Sequence, residues 1–196
     1  MLSSFFGALV VFAWSSISWM LLGWHQAGHR SFTDEAAVAA ALVANAPASG
    51  IYMLPNPYVA SSSEVPTPAG GEAPSVEEKL RAGPFLYAAV RIGRRDWNMA
   101  AMMGESFATQ LVGAFLLSAL LGAVRIESYG GRVIACMLAG LFAGVVGHVP
   151  NATWWEFPWN AALVNIADLT VSWFLGGLVI ARLTSPVRYH SSSWVR

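Results

Sequence analysis

Two carboxylic acids, Glu105 and Asp168, stand inside otherwise apolar runs of this 196-residue chain. An acid within an apolar span is costly and by default marks either function or a hydrogen bond between helices. Three histidines lie near the ends of such runs: His25, His29 and His148. His25 and His29 are four apart, the spacing that puts two imidazoles on one helix face for a metal, although Gly28 interrupts that helix. Glu156 or Glu35 offers a carboxylate to the same set, and Gln110, Asn160, Asn165 and Ser172 add neutral polar groups.

Three chemistries suit this set. The first is structural, with acids and amides hydrogen-bonding across helices around Glu105, Asp168, Gln110 and Asn165. The second is a proton or ion relay through Glu105 and Asp168. The third is a metal or haem site built on His25, His29, His148 and Glu156. No metal motif is complete: His-Glu-x-x-His and Cys-x-x-Cys-His are both missing, as are a phosphate loop and a Gly-x-Ser-x-Gly elbow. No cofactor and no catalytic residue is therefore predicted, and metal or haem belongs to the alternative reading.

The elements that position these residues follow from composition. Hydrophobic residues make up 56% of the chain and charged residues 11%, against roughly 25% charged in an ordinary soluble domain. Much of the chain is therefore expected to have lipid as its solvent. Basic and acidic residues balance at eleven each, which gives nucleic acid nothing to bind. Cys136 is the single cysteine, so an intramolecular disulfide is excluded. Lys79 is the only lysine beside ten arginines, a bias that suggests a GC-rich bacterial genome.

Spanning a bilayer takes about 20 mostly apolar residues. Four stretches qualify: Phe5–Trp24, Asn98–Val124, Val133–Val149 and Trp159–Ala181. The first has no basic residue ahead of its apolar run, so it reads as a retained helix, not a cleaved leader. Short connections between the last three predict that they pack as antiparallel neighbours. Counted from their outer ends at ~1.5 Å per residue, Glu105 and Asp168 lie roughly 10–14 Å deep, where side chains from four helices can converge. Cys136, Gly140, Gly144 and His148 repeat every four residues. Gly140 and Gly144 form a small-xxx-small pair that lets another helix approach, with Gly176 and Gly177 as the counterpart.

Arg125 and Arg132 in one connection, with Arg182, Arg188 and Arg196 at the end of the chain, place both termini in the cytoplasm. Arg91, Arg94 and Arg95 are the contrary signal. Trp24, Trp97, Trp154, Trp155 and Trp159 all fall at the opposite helix ends and read as an interfacial aromatic belt.

Residues 25–97 change character. Thr33 is expected to cap a short amphipathic helix, with Asp34 and Glu35 in its first turn and Val38 and Leu42 on one face. Ile51–Leu54 and Phe85–Ile92 read as two antiparallel strands. Between them, the Ser-, Pro- and Gly-rich stretch near 59–76, mainly 61–75, reads as a mobile insertion. The sequence thus predicts an all-α membrane protein. It comprises a first span (1–24), a small extracytoplasmic α/β cap of one helix and a two-stranded ribbon (25–97), three further spans (98–182) and a cytoplasmic tail (183–196). The function expected of such a chain is non-enzymatic: an accessory, assembly or scaffold subunit in a bacterial inner membrane, partnered by lipid and by other membrane subunits or itself. The alternative is a carrier of protons, an ion or a redox cofactor through the polar cluster.

Overall fold

The computed structural model describes residues 1–58 and 74–184. In chain order the elements are α1 (Leu2–Met20), a 3-10 turn (Trp24–Gly28), α2 (Glu35–Asn45), β1 (Gly50–Leu54), α3 (Val76–Ala82), β2 (Leu86–Val90), α4 (Met99–Ala123), α5 (Tyr129–Trp154) and α6 (Trp159–Leu183). They form two compact units, one of Met1–His29 with the chain from Trp97 on, the other of Arg30–Asp96.

In the first unit α1, α4, α5 and α6 are each long and apolar enough to cross a bilayer. Their starts carry the expected caps where polar residues are present: Asn98 accepts a hydrogen bond from the Ala101 amide, and Ser128 from that of Gly131. The helices lie in the order α4, α1, α6, α5, each packed on the next. Although only a short connection joins them, α4 and α5 make almost no contact with each other. The expectation that the last three spans pack as neighbours therefore holds for α5 with α6 and is corrected for α4 with α5. Small-residue faces mark the closest approaches, and a short connection alone does not bring α4 onto α5.

Those faces are explicit. A Cβ added to Gly140 would lie 2.5 Å from the Leu169 carbonyl oxygen, and one on Gly144 would lie 2.9 Å from the Ile166 Cα. Gly177 sits against the side chain of the buried Cys136, on the same α5–α6 contact. Gly176 turns the other way, towards Val11 of α1, and Gly7 of α1 receives the Ile180 side chain. Ala8, Ala114, Leu121, Cys136 and Ile180 form the buried apolar centre. At the end away from the tryptophans, the Tyr129 hydroxyl donates to the Leu178 carbonyl, and Arg132 Nη1 donates to that of Thr184. Large apolar side chains such as Phe6, Leu116, Phe142 and Leu163 cover the outside, a surface that suits lipid.

Two helix ends differ from the sequence reading. α1 stops at Met20, four residues short of Trp24. Gly23 then takes φ 67°, a left-handed turn that reverses the chain into the 3-10 turn. α5 runs through Pro150 to Trp154 where Val149 was the expected end. Pro150 removes one backbone donor, but it lies so near the helix end that little ladder follows it. There the side chains of Asn151 and Thr153 bond the Gly147 and Val149 carbonyls.

In the second unit β1 and β2 pair antiparallel, with Tyr52 opposite Ala88 and Leu54 opposite Leu86. The cap of α2 is Asp34, whose carboxylate accepts from the Ala37 amide; Thr33 does not take that role. Val38 and Leu42 are the half-buried positions of α2, in line with the buried Ala46 that follows it. The expected mobile insertion lies mostly outside the described residues. Where description resumes, the chain forms α3, a helix not anticipated, opened by a complete capping box. The Ser75 backbone amide donates to Glu78 Oε2 at 2.7 Å, and the Glu78 amide donates to the Ser75 hydroxyl.

The hydrogen bond from the Ser75 backbone, then that of its side chain, holds the Glu78 carboxyl below its ordinary range. A carboxyl lowered in the folded state contributes stability above the unfolded pKa, and that contribution is lost as pH falls through the lowered folded value. The first turn of α3 should therefore fray on acidification. Ser75→Ala removes the smaller, side-chain contribution and keeps the backbone N–H, so it should raise the Glu78 titration only part of the way towards the ordinary glutamate range, read from carboxyl carbon shifts by NMR. A wild-type Glu78 that titrates like an ordinary glutamate would show that the box does not form in solution.

Candidate functional site

The reversal at Gly23 brings His25 back against the bundle. Gly28 packs on α6 so closely that a Cβ there would lie 2.9 Å from the Ala161 Cβ. Held this way, His25 is buried, and so are Ser18 of α1 and Asp168 of α6. The Trp14 indole N–H donates to Asp168 Oδ1 at 2.7 Å. His25 Nε2 lies 3.6 Å from Asp168 Oδ2 and 3.0 Å from the Ser18 hydroxyl, which also accepts from the Trp24 indole at 2.9 Å. Trp19 stacks flat on the imidazole, ring centres 3.8 Å apart and planes within 7°. The result is a desolvated polar clasp joining the end of α1 to the first half of α6.

Both Ser18 and Asp168 approach the same ring nitrogen of His25. A nucleophilic triad needs the serine on one nitrogen and the carboxylate on the other, so that the imidazole can pass a proton between them. This arrangement cannot do that. His25 Nε2 hydrogen-bonds Ser18 and faces Asp168 Oδ2 at ion-pair distance, and Trp14, a donor only, fills the second carboxylate oxygen. The chemistry available is electrostatic and structural: one acid, one imidazole and two indole donors saturating one another.

The remaining sequence candidates are dispersed. Glu105 is exposed on α4 and is not part of the clasp; its backbone carbonyl accepts from the Thr109 hydroxyl. Gln110 is half-buried at the α1–α4 cleft, and Asn165 half-buried on α6. The expected convergence of Glu105 with Asp168 is thus corrected, because α4 packs on the far side of α1 and meets α6 only slightly. Asn160 reaches the Ala27 carbonyl at the limit of hydrogen bonding, 3.5 Å. His29 is exposed, its Nδ1 2.9 Å from the His25 carbonyl oxygen. His148 is half-buried on α5, and Glu156 is exposed beyond it with φ 55°. Among the described residues no three His, Cys, Asp or Glu side chains gather as a metal-ligand group.

Sequence reasoning found His25 and Asp168, placed Trp24 only in the aromatic belt, and missed Trp14, Ser18 and Trp19. One signal was available: Trp14 and Ser18 are four apart, on the α1 stripe that continues from the buried Ala8 and Val11. What concealed it was the reversal at Gly23, which breaks the apparent run to Trp24.

Fold and site together define a small helical protein of membrane type whose buried polar centre ties helices together. At the level of family, a model described as Protein of unknown function (DUF1761) matches residues 91–181, from just before α4 to near the end of α6. No curated protein and no solved structure matches the chain. The matched stretch contains Asp168, Glu105 and the α5–α6 glycines, whereas Trp14, Ser18 and His25 lie before it.

Proposed function

We propose that this chain is a non-enzymatic integral membrane subunit, with an accessory, assembly or scaffold role in a bacterial inner membrane, that docks on another membrane protein or a second copy through the outer face of α4. One observation carries the reading: Glu105 is exposed on α4, a helix long and apolar enough to span, only 11% of whose span window is buried, against 33% for α1 and α6. A charged side chain facing lipid costs up to about 3 kcal/mol at the bilayer centre on insertion scales and less towards the surface, which favours a covered Glu105. Around it Ala101, Gly104, Ala108 and Thr109 are also exposed, and a Cβ on Gly104 would meet nothing within 4 Å. Small residues beside one polar group allow close helix approach and a hydrogen bond across the interface. The second unit supports the same reading, since Phe32, Val43, Ile51 and Tyr58 are exposed there. A photo-crosslinking residue at Ala108 should give a protein adduct in native membranes, while one at Phe142 should give lipid adducts only. Equal behaviour at the two positions removes the reading.

The arginine asymmetry supports a topology in which both termini are cytoplasmic and residues 25–97 lie outside. In a Cys136→Ala background, Lys79→Cys should react with an impermeant thiol reagent on intact cells, and Glu127→Cys only after lysis. The reverse pattern would invert the topology.

The buried His25–Asp168 contact favours one second reading, a proton-exchanging site. In that case vesicles holding the wild-type chain should dissipate an imposed pH gradient, and Asp168→Asn vesicles should hold it, because an amide does not exchange a proton. Equal rates, no faster than in empty vesicles, leave the clasp purely structural.

A further inference from the structure

Between α1 and α4, near the end that holds the clasp, lies a cleft of about 280 Å³. Its walls are of two kinds. Phe12, Trp19, Met20 and Met103 supply flat aromatic and polarizable thioether surface, while Ser15, Ser106 and Gln110 supply donors. Ser16, beside them, spends its hydroxyl on the Phe12 carbonyl of its own helix. Ser15 and Ser106 do not, and with the Gln110 amide they have no hydrogen-bond partner among the described residues. Polar groups left unpaired at membrane depth are costly and seek a partner. Three such groups on two helices around one cleft point to a shared ligand. Being neutral, they suit a neutral ligand, and as hydroxyl and amide donors they suit carbonyl oxygens. The aromatic and thioether walls suit an apolar body attached to those oxygens, and about 280 Å³, just under the usual range of small-molecule sites, holds part of such a molecule.

We propose that the α1–α4 cleft binds the carbonyl-bearing part of a small lipid-soluble molecule, with Gln110, Ser106 and Ser15 donating to its carbonyl oxygens and Trp19 and Phe12 flanking its apolar part. That chemistry is presented by a quinone ring and by the ester region of a glycerolipid, both of which lie near a membrane surface. The cleft is formed within this chain, so the proposal does not depend on α4 docking to a partner. Trp19 also stacks on His25, so the cleft and the clasp share one wall.

The test uses the purified full chain in detergent with two probes. Decylubiquinone binding is followed by equilibrium dialysis, and retention of dioleoylphosphatidylglycerol by native mass spectrometry. At least one probe should bind saturably and weaken at least tenfold in Gln110→Leu, with Phe142→Ala unchanged. The probe that responds identifies the source of the carbonyl. Ser106→Ala, a smaller change, should weaken the same probe severalfold and keeps the test decisive if Gln110→Leu fails to fold. Absence of saturable binding by both probes would overturn the proposal, and so would binding indifferent to both cleft variants.

Discussion

Gly144→Leu is expected to force α5 away from α6 and to destabilise the folded chain strongly. Its new Cβ would start 2.9 Å from the Ile166 Cα, and the equivalent atom at Gly140 would start 2.5 Å from the Leu169 carbonyl oxygen. Both obstacles are backbone, so no rotamer change relieves them. Overpacking a tight interior costs about 1–3 kcal/mol and occasionally more. Two helices forced apart along their whole contact fall at the upper end, about 3 kcal/mol for either glycine. Gly147, one turn further along α5, is the internal control. A Cβ there meets nothing within 4 Å, so Gly147→Leu should be neutral or gain up to about 1 kcal/mol of helix propensity. Unfolding in mixed micelles, followed by far-ultraviolet circular dichroism, ranks the three variants. Equal losses at Gly144 and Gly147 would mean that the helices do not meet as described.

Asp168 should show the second large effect, with its size set by what replaces it. Leucine would leave the Trp14 indole N–H buried without its acceptor and would take away the carboxylate beside His25, whose Nε2 keeps only the Ser18 hydroxyl. Removing one member of such a group typically costs about 3 kcal/mol. Asparagine keeps an oxygen for Trp14 and turns an N–H₂ towards His25 Nε2, which must then act as acceptor and share its lone pair with the Ser18 hydroxyl. The expected cost is about 1 kcal/mol. The same micelle unfolding measures both, and Trp14→Phe should match asparagine within a few tenths of a kcal/mol. Leucine tolerated as well as asparagine would show that Asp168 does not hold α1 to α6.

Four apolar helices and the two-stranded ribbon were legible because each rests on a local pattern: apolar runs of spanning length, and short strands bounded by Pro55 and Gly83. Neighbour relations were less so. Connection length suggested that α4 and α5 touch, yet the closest approaches are set by Gly7, Gly140, Gly144 and Gly176. One-dimensional spacing does not show which neighbour each of these will face. Half of the clasp was legible. Asp168 stands out as an acid in an apolar run and His25 as a histidine at its edge, but their union depends on the left-handed turn at Gly23. Glu105 carried as strong a sequence signal as Asp168 and lies exposed on a different helix. The cost of an intramembrane acid says that a partner is needed and leaves open whether that partner is in the same chain. The helix α3 was hidden because its capping box, Ser75 with Glu78, adjoins a stretch whose composition argued against structure.

Cover of the Glu105 face of α4 by another membrane protein, as proposed, would show in the mass of the protein component of the particle extracted in mild detergent, measured by light scattering on a size-exclusion column. The chain alone is 21.0 kDa. The expected result is a mass well above this, falling to that of the single chain in Ala108→Trp, which blocks close approach, while Phe142→Trp on the exposed face of α5 leaves it unchanged. A wild-type particle of single-chain mass, extracted under conditions that preserve other membrane complexes of the same cells, would mean that no protein covers this face.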